Sequence, residues 1–248
     1  NYFIFMPTKS MMRIPQRKSG ISAISYTQKE WPQLSSALLT LLKNPSAPLP
    51  VDGLVNVVYR ICTAGLMPDC FRDLSSFITE YLDNVSMNLV NIHIGKFLNQ
   101  LASTMENYRI ACQKICVIFQ YLERQYISKQ LGKDLSQLLE TELGNRIVRA
   151  ENVHLRLKEL LPRTKPNAIT KTGPEDIYLD PSILQPLIVC LHHFEPNYYS
   201  YNPYLFSLYI PRLLPDKGLE MERIITQKYL DTNIPSPSGQ PHKKTKIL

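Results

Sequence analysis

Cysteine and histidine are the residues of this chain whose spacing could do chemistry, and they are few: five Cys and five His in 248 residues. Cys112 and Cys116 stand one helical turn apart, a separation that suits two ligands of one metal ion. No second Cys/His pair follows at a zinc-like spacing, and both have apolar neighbours, so buried structural thiols are expected instead. Cys190 beside His192-His193 is the other candidate. Adjacent residues on a helix diverge by about 100°, which makes a helix-end pair the simpler reading. No nucleophile elbow, Walker loop, dinucleotide glycine pattern or His-Glu-x-x-His motif occurs. The 9 glycines are scattered singly and build no phosphate cradle. Acid–base neighbours such as Glu123-Arg124 read as surface or interhelical pairs. The expectation is a chain with no enzymatic activity, no cofactor and no metal.

Three short motifs carry less information. Ser236-Pro237 is a candidate proline-directed phosphorylation site, and Arg212-Leu213-Leu214 fits the minimal Arg-x-Leu cyclin-docking pattern. Lys243-Lys244-x-Lys246 is a marginal nuclear-import cluster. All three patterns arise readily by chance.

The net charge of +7 raises the question of nucleic acid, and its distribution answers it. Lys9, Arg13, Arg17 and Lys18 lie in the first twenty residues without an acid, and Lys243, Lys244 and Lys246 lie in the last eight. Residues 21–240 are therefore neutral, whereas a phosphate-tracking domain holds its cations on a folded face. No nucleic-acid partner is expected. No run of 18 apolar residues exists, so no membrane span is expected. An odd cysteine count without a signal peptide points to a reducing compartment, cytoplasmic or nuclear. The first Met stands at position 6, and the chain is expected to be a fragment of something longer.

The elements that position these residues are helical, since 19 prolines against few glycines punctuate runs rich in Leu, Ile and Tyr. Residues 1–26 read as a flexible basic lead-in. Structure is expected to begin near Thr27, with Pro32 in a first helical turn and Trp31, Leu34, Ala37, Leu38 and Leu41 at helical spacing. After the proline-rich loop Asn44–Pro50, a helix over Val51–Thr63 buries Leu54, Val58, Ile61 and Cys62. It carries Val51, Val55 and Tyr59 along another line. Helices follow over Cys70–Asn84, Met87–Glu106 and Tyr108–Ile127. The last has a wide core stripe: Tyr108, Ala111, Cys112, Ile115, Ile118, Phe119, Leu122 and Tyr126. Its polar flank holds Arg109, Gln113, Gln120 and Arg124. Roughly opposite the core runs a narrow line of Ile110, Lys114, Val117 and Tyr121, covered either by a neighbouring helix or by a partner.

Lys133–Leu161 reads as one long charged amphipathic helix stopped by Pro162, and 162–182 as a linker. An apolar helix over Ile183–His193 returns to the bundle. A short helix near Pro203–Ile210 and a last one over Leu219–Leu230 complete the domain, and 231–248 is a disordered basic tail.

Two signatures resemble the cullin N-terminal repeat. Tyr108-Arg109 with Tyr121-Leu122-Glu123-Arg124-x-Tyr126 is similar to that repeat's fifth helix, which ends Tyr-Leu/Met-Asp/Asn-Arg-x-Tyr/Trp. Leu54-Val55-x-x-Val58-Tyr59-x-x-Cys62-Thr63 is similar to its second helix, with Val55 in place of a Tyr. Phe97-Leu98-x-x-Leu101 before Tyr108 fits the pattern between them, with Met105 where a Trp is usual. The resemblance covers about residues 28–128. Its fold implication is an all-α, cullin-repeat-like helical bundle: a five-helix repeat plus a partial second helical repeat over about 133–230, the two making one domain from 27 to 230.

Nothing resembles the winged-helix region, the modifier-accepting lysine motif or the RING-binding segment of cullins. Within the family the chain is most similar to cullin-domain proteins associated with cyclin-dependent kinases. The resemblance therefore implies a non-catalytic protein-interaction module that binds a cyclin-dependent kinase and promotes cell-cycle progression, with contact to ubiquitin-ligase adaptors as a further implication. An alternative is a competitor that occupies BTB/Skp-type adaptors of a cullin-RING ligase. In cullins the second and fifth helices form the adaptor face. The matching positions here are Leu49, Val51, Asp52, Val55, Tyr59 and Tyr121, to which the helical line adds Ile110 and Val117. Val55 weakens the adaptor expectation, because it lacks the ring and hydroxyl present there in cullins.

Overall fold

The structure, a computed structural model, describes residues 21–166 and 176–211. The expected helix over Leu219–Leu230, the basic tail, the three short motifs and most of the lead-in lie outside the described residues.

The first helical stretch begins earlier than Thr27. Ser22 caps it by accepting the Ser25 N–H, and Ala23–Ser25 leads through one π-helical turn, Tyr26–Glu30, into α1 (Trp31–Lys43). Pro32 explains that turn. Its ring would meet the carbonyl four residues earlier in a regular helix, and the widened turn just upstream gives it room. Tyr26, expected in the lead-in, is buried and donates its hydroxyl to Asp73 at 2.8 Å.

α2 spans Val51–Thr63, with Leu54, Val57, Val58, Ile61 and Cys62 buried. Then come two long helices, α3 (Met67–Val90) and α4 (Ile94–Ile118). The sequence divides the same region into three, with breaks near Val85 and Asn107. Neither break exists, because no Pro or Gly interrupts there and the buried stripes continue through them: Leu82, Ser86 and Leu89 on α3, and Leu101, Met105 and Tyr108 on α4. The chain turns instead at Asn91–His93, where the His93 ring accepts the Gly95 N–H and starts α4. A second interruption falls at Phe119 (φ −96°, ψ 12°), after which Gln120–Leu122, a π turn Glu123–Ile127 and Ser128–Leu131 continue to a left-handed Gly132.

The long helix expected over Lys133–Leu161 is bent. α5 (Leu135–Leu143), capped by Asp134, runs through a π turn at Gly144–Val148, and α6 (Glu151–Leu160) starts after an extended Ala150. Ile147 and Val153 are six residues apart, about 240° around one straight helix. Both are fully buried and flank the bend, where the π turn ends and Ala150 leaves helical geometry. The region read as linker pairs two short parallel strands, β1 (Thr164–Pro166) and β2 (Ile177–Leu179). α7 (Pro181–Phe194), a 3-10 turn at Pro196–Tyr201 and α8 (Pro203–Tyr209) close the described chain.

α4 is the axis of this all-α assembly. Helices α1, α2, α3, α5 and α7 all pack on it, and one contiguous core runs from Tyr26 to Phe206. Close approach matters most at Gly144, where an added Cβ would sit 2.7 Å from Cδ1 of Phe194.

Candidate functional site

Two helical lines left over from core packing define the site. On α2, burial of Leu54, Val58 and Ile61 leaves Val55 and Tyr59 on the adjacent line, and Tyr59 is 48% exposed. On α4, burial of Ile115, Ile118 and Phe119 leaves Val117 outward and 55% exposed. The interruption at Phe119 lets Gln120–Leu122 pack on α2. Tyr121 thereby meets Tyr59 edge-to-face, with ring centroids 4.9 Å apart and planes at 74°. Val55, Asn56, Tyr59, Gln120, Tyr121 and Arg124 together line an open groove of about 340 Å³.

The structure thus brings Val55, Tyr59 and Tyr121 into one groove, with Val117 one turn before Tyr121 on the same line. Asp52 is exposed in the first turn of α2, where its charge suits the helix dipole. Leu49 and Val51 lie half-buried against the core and support the loop more than they present a surface. Ile110 is half-buried about 10 Å along α4 from Val117. Between them Lys114 donates to the carbonyl of Pro45, strapping the proline-rich loop across this line. Part of the strip opposite the core is therefore covered by the chain's own loop, and the uncovered part is its Val117–Tyr121 end. Asn56, Gln120 and Arg124 were missed as groove residues. Gln120 and Arg124 sit four apart and flank Tyr121, a signal readable in sequence, whereas Asn56 gave none.

The thiols do not form a reactive centre. Burial pushes Cys112 up to about 12 and Cys116 up to about 11, and Cys190 likewise rises to about 12. A thiol held protonated by burial is a poor nucleophile at neutral pH. The two histidines diverge: His193 reaches Glu140 at 3.0 Å, while the His192 ring faces Phe206. Among the described residues no group of three or more His, Cys, Asp or Glu is placed to hold a metal ion. No helix among them is long and apolar enough to cross a membrane.

A polar network that the sequence did not reveal fastens the second half. Tyr198 is fully buried and donates its one hydroxyl proton to the Val148 carbonyl at 2.6 Å. Its oxygen therefore accepts from Nδ1–H of His154 at 3.1 Å, and the Tyr201 hydroxyl lies 3.3 Å from Nε2 of the same ring. Arg149 beside it donates to the Phe194 carbonyl at 2.6 Å and lies 3.7 Å from Glu195. The network joins α6, the 3-10 turn and the bend after α5, which is a structural task.

The helical succession corresponds to a known architecture. Residues 31–200 match the cullin alpha solenoid domain. The chain belongs to the cullin family. CDK2-associated and cullin domain-containing protein 1 of Rattus norvegicus is 26% identical to it over 118 residues, 46% of this chain and 34% of that protein. The chain thus spans about a third of the length of the curated relative it matches. The family membership accounts for the α-solenoid fold. It also places the chain among proteins whose elements stack through neighbouring helices and leave extended faces for other proteins.

Proposed function

We propose that this cullin-family chain is a non-catalytic protein-interaction module that binds a cyclin-dependent kinase and promotes cell-cycle progression, acting in the cytoplasm or nucleus. The observation that carries the reading is the Tyr59–Tyr121 groove. Two aromatic rings, an exposed Val117 and flanking polar side chains form a pre-built face, the composition of an interface centre with a polar rim. The name of the rat relative supports a kinase as the partner. Contact with BTB/Skp-type ligase adaptors is the second reading, favoured by the convergence of Val55, Tyr59 and Tyr121 and weakened by the missing ring at Val55.

The test is capture of purified CDK2 and, separately, of a Skp-type and a BTB-type adaptor by the full chain, wild type against Tyr121→Ala. Kinase capture lost in the variant supports the first reading, and adaptor capture lost in the variant supports the second. A Tyr121→Ala chain that binds each as tightly as wild type removes the groove from the function.

A further inference from the structure

We draw no further inference here: the strongest candidate, the groove where the C-terminal end of α1 meets α3 and α4, carries nothing because its polar side chains Lys43, Asn88, Gln100 and Asn107 are all exposed and nothing in the structure shows what covers it.

Discussion

Gly144→Ala puts the packing of the two halves of the chain to a direct test. Gly144 begins the π turn after α5 in ordinary helical conformation (φ −57°, ψ −47°), so alanine meets no backbone obstacle there. On helix propensity alone the change stabilises by about 0.5–1 kcal/mol. The new methyl, however, falls 2.7 Å from Cδ1, 3.1 Å from Cε1 and 3.4 Å from Cγ of Phe194. That ring is 8% exposed and ends α7, whose carbonyl is held by Arg149, so it cannot simply swing aside. Overpacking of this kind costs about 1–3 kcal/mol, and the balance is a loss of about 1–2 kcal/mol. For a domain of this size that is a fall of about 2–8 °C in Tm. Urea titration followed by circular dichroism at 222 nm gives the free energy, and a thermal melt gives the shift. Phe194→Leu in the same background relieves the contact, so the double variant is expected to be more stable than the sum of the single changes. A Gly144→Ala chain as stable as wild type, or more so, would refute α7 as the neighbour of this turn.

Two further outcomes follow from the same geometry. Tyr198→Phe removes the donor to Val148 and the acceptor for His154 and is expected to cost about 1–3 kcal/mol; an unchanged urea midpoint would show that water replaces both contacts. Native Cys112 and Cys116 are expected to react with iodoacetamide far more slowly at pH 8 than in the urea-unfolded chain. Their folded pKa values, about 12 and about 11, stand above the ordinary 9.0, so their contribution to stability is complete below pH 9 and is lost as pH rises through 11 to 12. A stability that stayed level between pH 9 and 11 would contradict their burial.

Much of the fold is written locally. The three- and four-residue recurrence of Leu54, Val58 and Ile61, or of Tyr108, Ala111 and Ile115, states which side of each helix is buried, because a helix's faces are set by its own residues. The same periodicity placed Tyr59 and Val117 outside the core without any knowledge of neighbours, whereas Tyr121, expected on the same outer line, packs partly against it. Helix ends were less legible. Asn91–His93 breaks the chain without proline or glycine, whereas Pro32 and Pro186 sit inside helical runs and stop nothing.

Only the tertiary structure decided how these faces combine. Which line meets which depends on the interruption at Phe119, and a residue indistinguishable in sequence from any other core aromatic gives no sign of it. The strap from Lys114 to Pro45 joins positions 69 residues apart, and the Tyr198–His154 network joins positions 44 apart. Such contacts have no sequence period, because they are set by where packed helices happen to cross. The bend at Ala150 shows the same division of labour. The apolar residues that flank it, Ile147 and Val153, are legible in the sequence, but burial of both is a property of the neighbours that surround them. The sequence by itself determined that this is a helical chain with two lines to spare; the tertiary structure decided that the lines meet, what loop covers one of them, and which end stays open.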